Sequence, residues 1–143
     1  MTHPVLQQLR AAVTGGTSGL GRALVAELLG RGARVAFVAR RADDVRRTAC
    51  ELPGSHGLVG DVSRKDDIYP LALQITGILG GLDVLVNNAS SLGPVPLALL
   101  ADTDCEDLEL ALATNVLGPF RPARFPRRVG ARGTESDRSE HLQ

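Results

Sequence analysis

Residues 14–21 read Thr14-Gly15-Gly16-Thr17-Ser18-Gly19-Leu20-Gly21, and they connect an apolar run, Ala11 to Val13, to a helical pattern, Leu20 to Leu29. A strand, a glycine-rich turn and a helix in this order form an anion site. The reason is that the start of a helix leaves about four backbone N–H groups unpaired and carries roughly half a positive charge. A pyrophosphate group placed there meets donors that are already aligned. The stretch therefore predicts a phosphate-binding turn.

Glycines in this turn have separable tasks. Gly15 permits a backbone conformation that other residues avoid, Gly19 lets a ligand approach the backbone, and Gly21 allows the helix to pack close to the strand. The spacing differs from G-x-G-x-x-G, and no Gly-Lys-Ser/Thr follows, so a nucleoside-triphosphate loop is excluded. The residues predicted to bind the ligand here are Gly15, Thr17, Ser18, Gly19, Leu20 and Gly21.

Length and composition indicate one globular domain. The chain has 143 residues, of which 43% are hydrophobic, and no apolar run approaches the roughly 20 residues that span a membrane. Met1 to Pro4 lacks the basic region and apolar core of a signal peptide. Cys50 and Cys105 fall in predicted helices without metal-type spacing, so we expect reduced, space-filling cysteines, no metal site and a cytoplasmic protein.

Charge and composition divide the chain in two. Residues 1–120 carry nine Arg and one Lys against thirteen acidic residues, whereas residues 121–143 carry six Arg against three. The second part is rich in Arg, Pro and Gly and has no apolar periodicity after Val129. We predict a dinucleotide-binding domain over residues 1–120 and a disordered tail over residues 121–143, because the tail buries too little to offset its ordering entropy.

Strand and helix patterns alternate along the first part. The predicted strands are residues 10–14, 34–39, 57–60 and 82–86, and the predicted helices are residues 20–29, 42–52, a third that ends at Gly80-Gly81 and a fourth that runs to about Leu117. Ser63 is the expected cap of the third helix, which either kinks at Pro70 or begins near Tyr69; Asp102 or Thr103 is the expected cap of the fourth. Short alternating connections imply a parallel sheet. The predicted fold is α/β, a partial doubly wound Rossmann-type sheet of about four strands in the order 3-2-1-4.

Four motifs in order resemble the short-chain dehydrogenase/reductase family. They are the T-G-x-x-x-G-x-G spacing of residues 14–21, Asp61-Val62 after the third strand, Asn87-Asn88-Ala89-Ser90 after the fourth, and Asn115 in Thr114-Asn115-Val116. The family has Gly where this chain has Ser90. The resemblance covers residues 10 to about 120, the coenzyme-binding half of such enzymes.

The resemblance implies roles for four positions. Asp61 would accept a hydrogen bond from the exocyclic amine of adenine, while Val62 packs on the ring edge. Asn87, within the pair of asparagines at this strand end, would help tie adjacent strands together, and Ala89 would leave room for a ribose. A turn-forming aspartate is the alternative interpretation of Asp61.

Coenzyme choice is predicted from the end of the second strand. The residues there are Ala39-Arg40-Arg41, and no carboxylate appears before Asp43. An acid at this place holds the ribose of NAD, whereas Arg offers planar paired donors to the 2′-phosphate of NADP. We therefore expect NADP in preference to NAD, bound by Arg40 and Arg41. Arg41 as an ordinary solvated helix start is the alternative.

Catalytic residues are where the pattern stops. The family's chemistry needs a Ser and a Y-x-x-x-K pair, but Tyr69 and Lys65 are the only tyrosine and lysine in the chain, and the lysine precedes the tyrosine. Only Asn115 has a catalytic counterpart, a helix asparagine whose backbone holds a water in the proton relay. We expect a segment that binds NADP(H) and is catalytically incompetent alone, from a gene cut or frameshifted near codon 120.

Two other functions remain open. One is a non-catalytic NADP-sensing or partner-binding module. The other is an interaction protein whose Arg-rich tail binds nucleic acid or acidic surfaces, which is disfavoured because only Phe120 and Phe125 supply aromatic rings there. The fourth strand would be a sheet edge, and a largely apolar edge promotes self-association. The substrate is not predicted.

Overall fold

The structure is a computed structural model, and it describes residues 6–122. Most of the tail predicted to be disordered, from residue 123 onward, lies outside the described residues. The strands are β1 (Arg10–Thr14), β2 (Arg34–Ala39), β3 (Ser55–Val59) and β4 (Val84–Asn87). The helices are α1 (Gly19–Gly30), α2 (Ala42–Glu51), α3 (Lys65–Leu79), α4 (Cys105–Leu112) and α5 (Gly118–Phe120), with a 3-10 turn at Leu100–Asp102 and a π-helical turn at Ala113–Leu117.

The four strands form one parallel sheet in the order β3-β2-β1-β4, which confirms the predicted topology. Ala12 of β1 pairs with Ala36 of β2 on one side and with Leu85 of β4 on the other. Because all strands are parallel, their carboxyl ends and the loops that follow them meet at one edge of the sheet. The functional site is expected at this edge.

Helices cover both faces of the sheet. Because successive side chains of a strand point to opposite faces, the core has two parts. One face packs beneath α3 and contains Ala12, Ala36, Val38, Leu58, Leu71, Ala72, Ile75, Leu79 and Leu82. The other packs beneath α1 and α2 and contains Val13, Val25, Ala33, Val35, Phe37 and Val45. Phe37 is fully buried. Strands buried on both faces explain the continuous apolar runs of β1 and β2.

Arg10 anchors the opposite end of β1 to the segment before β4. Its guanidinium donates to the Asp83 carboxylate, with 2.8 Å from Nε to Oδ2, and to the carbonyl oxygen of Gly80 at 2.7 Å. The Arg10 side chain is only 10% exposed. The hydrogen bond to Asp83 raises the pKa of Arg10 above its ordinary value, because the carboxylate stabilises the charged guanidinium and outweighs the opposing effect of burial.

The third helix begins differently from the prediction. Its first residue is Lys65 and Arg64 occupies the cap position without a side-chain hydrogen bond, so the predicted Ser63 cap is wrong. The Ser63 hydroxyl instead donates to Oδ1 of Asp61 at 2.7 Å. Pro70 lies inside the helix, so a start near Tyr69 is also wrong. Pro70 is exposed, and water can therefore satisfy the backbone carbonyl that its missing N–H leaves unpaired.

The fourth helix also begins later than predicted. Asp104 is the residue before α4, and neither Asp102 nor Thr103 caps it. Asp102 ends the preceding 3-10 turn, and the Thr103 hydroxyl donates backwards to the carbonyl oxygen of Leu99 at 3.0 Å. Both side chains therefore belong to the turn before the helix.

Smaller differences concern two strands and the cysteines. β3 begins two residues earlier than predicted, because Ser55 pairs with Val35 of β2. β4 begins two residues later. Cys50 and Cys105 are both free and exposed, so the prediction that they fill space in the core is wrong. No helix within residues 6–122 is long and apolar enough to cross a membrane.

Candidate functional site: a cleft at the carboxyl ends of the strands

The turn between β1 and α1 is fixed by glycine conformations and by β2. Gly15 has φ +70° and Gly19 has φ +51°, both in the left-handed region that favours glycine. The backbone N–H of Gly15 donates to the carbonyl oxygen of Val38 at 2.8 Å. Ser18 is the residue before α1, its side chain makes no capping hydrogen bond, and no acidic residue lies in the first turn. The N-terminus of α1 therefore has donors for an anion and no competing carboxylate.

Two other glycines of the turn are required by close packing. A Cβ atom at Gly16 would overlap the side chain of Phe37. A Cβ atom at Gly21 would overlap the carbonyl oxygen of Gly15 and the amide of Asn88. Gly21 is buried and lies behind the turn, so it supports the site without lining it.

Asn88 ties the end of β4 to the turn. Its side-chain Nδ2 donates to the carbonyl oxygens of Thr14 and Gly15, each at 3.2 Å. The backbone N–H groups of Asn88 and Ala89 both donate to the Thr14 hydroxyl at 3.1 Å. Asn87, by contrast, is exposed and makes one long hydrogen bond, 3.4 Å, to the carbonyl oxygen of Pro119. Of the two asparagines, the structure places Asn88 at the turn.

Basic and acidic side chains meet after β2. Arg41 contacts Asp44 across one turn of α2, with 3.3 Å between Nε and Oδ2, and its side chain is 81% exposed. Asp44 also accepts from Arg47 at 2.5 Å. Arg40 is exposed and forms no ion pair with any residue between 6 and 122. Arg40 is therefore the cation of this cluster that has no ion-pair partner among the described residues.

The segment after β3 holds the second predicted pair. Oδ1 of Asp61 accepts hydrogen bonds from the backbone N–H of Ser63 at 2.9 Å and from its hydroxyl. The backbone N–H of Asp61 donates to Asp67 at 2.8 Å, which ties this segment to the start of α3. Val62 is 7% exposed. The carboxylate of Asp61 is thus held in one orientation by its own turn.

Asn115 lies in the π-helical turn and contacts the loop after β4. Its Oδ1 accepts from the backbone N–H of Ser91 at 2.8 Å, and its Nδ2 donates to the carbonyl oxygen of Ser91 at 2.7 Å. This pair of hydrogen bonds fastens the loop to the helix. The neighbouring Thr114, which is 5% exposed, reaches the cleft, whereas Asn115 does not line it.

These segments enclose an open cleft of about 450 Å³ at the carboxyl ends of the strands. Ten of the predicted residues line it: Gly15, Thr17, Ser18, Gly19, Leu20, Arg40, Arg41, Asp61, Val62 and Ala89. The other three, Gly21, Asn87 and Asn115, do not. Further lining residues, absent from the predicted set, are Val38, Ala39, Asp44, Gly60, Asn88, Ser90 and Thr114.

The positions of Lys65, Tyr69 and the metal-ligating side chains limit the chemistry that the described residues offer. Lys65 and Tyr69 lie on α3, and neither lines the cleft. Tyr69 is 72% exposed to solvent. Within residues 6–122, no group of three or more His, Cys, Asp or Glu side chains is placed to hold a metal ion. The cleft thus combines a helix N-terminus without a side-chain cap, arginines and a held carboxylate.

A family model described as short chain dehydrogenase matches residues 10–125, which include every element of this cleft. The chain belongs to the short-chain dehydrogenase family. Members are oxidoreductases that bind a nicotinamide dinucleotide. The resemblance inferred from four short motifs is therefore confirmed.

Curated relatives of this short-chain dehydrogenase chain carry several names. Glucose 1-dehydrogenase of Gluconobacter oxydans (strain 621H) is 36% identical over 120 residues, which cover 80% of this chain and 44% of the relative. The 3-oxoacyl-[acyl-carrier-protein] reductase of Bos taurus is 38% identical over 114 residues, covering 79% and 47% respectively. The chain thus spans less than half the length of these relatives.

Solved structures of short-chain dehydrogenases share the fold. The 3-ketoacyl-(acyl-carrier-protein) reductase of Brucella melitensis, complexed with NADH, has a TM-score of 0.77 and 27% identity over 83% of this chain and 48% of that one. A short-chain dehydrogenase/reductase mutant from Serratia marcescens has a TM-score of 0.74 and 31% identity, covering 86% and 52%. The neighbour from Brucella shows that a nicotinamide coenzyme binds a protein of this fold.

Proposed function

We propose that this chain binds NADP(H), in preference to NAD(H), as the coenzyme-binding segment of a short-chain oxidoreductase, and that it turns over no substrate by itself. The observation that carries the coenzyme preference is Arg40, an exposed guanidinium on the cleft without an ion-pair partner among the described residues. A 2′-phosphate supplies the acceptor that such a guanidinium lacks.

The cleft fits the coenzyme at its phosphates. A Cβ atom at Gly19 would meet nothing within 4 Å, so the backbone of the turn is open to the cleft. With no side-chain cap at Ser18, the pyrophosphate would lie at the N-terminus of α1. Farther along, the orientation of Asp61 and the buried side chain of Val62 suit the adenine ring. Ala89 would border a ribose.

Among the described residues, the lining of the cleft includes no tyrosine or lysine that could take part in proton transfer. A bound nicotinamide coenzyme supplies a hydride, and a carbonyl substrate also needs a proton donor beside it. Neither Tyr69 nor Lys65 lines the cleft. Asn115 is proposed to hold a relay water through its backbone, as the family resemblance implies. A relay without a terminal acid does not complete the reduction, which supports the proposal that the chain alone is inactive.

Fluorescence titration of NADPH tests the proposal directly. We expect saturable binding by the 143-residue chain, weaker binding of NADH, and no NADPH oxidation above the blank with a panel of ketones and aldehydes. Arg40→Ala should weaken NADPH binding about tenfold and leave NADH binding unchanged, because a hydrogen bond to a charged group contributes about 1.5–3 kcal/mol. Arg46→Ala is the matched control, since Arg46 pairs with Asp43 and does not line the cleft.

Three results would contradict the proposal. They are failure of the folded chain to bind NADPH, an equal loss of affinity for NADPH and NADH in Arg40→Ala, and carbonyl reduction at an enzymatic rate by the chain alone.

The free, exposed Cys50 and Cys105 support a reducing compartment, so we propose a cytoplasmic location.

A coenzyme-sensing module that associates with a second copy is the second candidate function. The feature that favours it is apolar surface beyond β4, where Leu92, Val95, Leu97, Leu99 and Leu100 are each at least 65% exposed. Among the described strands, β4 pairs only with β1, so its other edge is open. Exposed apolar surface beside an open edge favours association between copies.

A further inference from the structure

Asp44 holds two arginines at the start of α2. Its Oδ2 lies 3.3 Å from Nε of Arg41 and its Oδ1 lies 2.5 Å from Nη2 of Arg47. The Asp44 side chain is 23% exposed, whereas that of Arg41 is 81% exposed. The carboxylate is therefore the more enclosed partner, and it sets the position of the guanidinium that reaches out to it.

The same carboxylate lines the cleft beside Arg40 and Arg41. The ion pair with Asp44 competes with a phosphate on the ligand for the guanidinium of Arg41. Turning Nε towards a ligand gives up the ion pair with Asp44. Arg40 has no such competitor among residues 6–122.

We propose that Asp44 limits the preference for NADP over NAD by restraining Arg41, so that Arg40 alone pairs with the 2′-phosphate. This inference rests on the proposed coenzyme binding and assigns a specificity-determining role to a residue that the motifs do not include. The native chain then prefers NADP over NAD only moderately, because Asp44 restrains Arg41.

Asp44→Asn tests the restraint, because it removes the charge and keeps the shape of the side chain. We expect the affinity ratio of NADPH to NADH to rise by up to about fivefold, because releasing Arg41 returns at most what its ion pair with Asp44 contributes. Asp43→Asn is the matched control. Asp43 is the adjacent residue of the same helix, pairs with Arg46, is 80% exposed and does not line the cleft. Its ratio should stay within about twofold of the native ratio.

The route through Arg41 is tested in the double variant Asp44→Asn/Arg41→Ala. The gain should vanish relative to Arg41→Ala alone. An undiminished gain there, or equal ratios in Asp44→Asn and Asp43→Asn, would overturn the inference while leaving NADP binding intact. Absence of binding by the native folded chain would instead overturn the proposed function. Unfolding midpoints of both single variants show that each is folded during the titrations.

Discussion

The side-chain Nδ2 of Asn88 donates a hydrogen bond to the carbonyl oxygen of Gly15, at a distance of 3.2 Å. This contact joins the end of β4 to the turn that would carry the pyrophosphate, two segments 73 residues apart in the sequence. The geometry of the anion site therefore depends on β4 as well as on its own loop.

Replacing Asn88 by alanine should lower both stability and coenzyme affinity. The substitution leaves the carbonyl oxygens of Thr14 and Gly15 without this donor, and an unsatisfied, partly buried acceptor costs about 1–3 kcal/mol. Urea unfolding and NADPH titration measure the two effects. Asn87→Ala is the control and should change stability by less than about 0.5 kcal/mol, because Asn87 is exposed and weakly bonded. Equal losses in the two variants would refute the role of Asn88.

Gly21→Ala should weaken NADPH binding and destabilise the fold. The added methyl group would overlap the carbonyl oxygen of Gly15 and the Asn88 amide, so α1 must move away from β1. Overpacking of this kind costs about 1–3 kcal/mol. Gly30→Ala places the same methyl group at the other end of α1, where nothing lies within 4 Å, and should be neutral or slightly stabilising. Thermal unfolding of the two variants distinguishes packing from helix propensity; a tolerated Gly21→Ala would contradict the packing argument.

Removing the carboxylate of Asp83 should lower the free energy of unfolding. Asp83→Asn leaves the 10%-exposed guanidinium of Arg10 without its counter-charge, which is costlier than losing an exposed pair. Asp43→Asn, which breaks an exposed pair, is the control and should have almost no effect. A double-mutant cycle with Arg10→Ala should show coupling between the two residues, and additive losses would count against it.

The pH dependence of that coupling follows from the raised pKa of Arg10. A group whose pKa is raised by folding contributes stability below its unfolded pKa and loses it only as the pH rises through the folded value. The contribution of Arg10 should therefore persist through neutral and alkaline pH. Unfolding of the native chain and of Arg10→Ala across this range measures it; a difference that disappears at moderately alkaline pH would contradict the assignment.

Self-association should depend on the open edge of β4. Val84 is 38% exposed, and a charge there hinders pairing of edge strands. We expect Val84→Lys to shift sedimentation at high protein concentration towards the monomer. Val59→Lys, on the opposite edge strand β3, is the control and should sediment as the native chain does. Sedimentation of the native chain as a monomer at all concentrations would exclude association through either edge.

The sequence predicts the fold well where an apolar run is continuous. The bounds of β1 and β2 agree with the structure because both strands are buried on both faces and are followed by two glycines and by two arginines respectively. Helix starts are predicted less well, because Ser63 and Thr103 are good capping residues that hydrogen-bond within the preceding turns instead. A single sequence shows which residues can cap a helix, but it does not show which hydrogen bond their side chains form.

Sequence motifs predict many residues of the candidate site, but they do not predict how those residues contact one another. Gly15, Gly19 and Arg40 line the cleft because they follow strand ends at this edge of the sheet, whereas Gly21 lies behind the turn. The motif predicts that the asparagine amides tie strand ends together, and Asn88 makes such contacts in the structure. Sequence alone does not show which of two adjacent amides turns towards β1. Asp44 and Thr114 reach the cleft only through the packing of α2 and of the π-helical turn. Helical i, i+3 spacing could have indicated Asp44, which lies one turn beyond Arg41.

The two parts of the cleft tolerate substitution differently. The turn between β1 and α1 packs against Phe37 and Asn88 in the interior, where there is no room for an additional methyl group. Arg40 and Arg41 lie at the solvent-facing rim, where Arg41 contacts Asp44 of α2. On the proposed function, substitutions at two or three rim positions would therefore change the coenzyme preference without altering the packed turn on which the phosphates would lie.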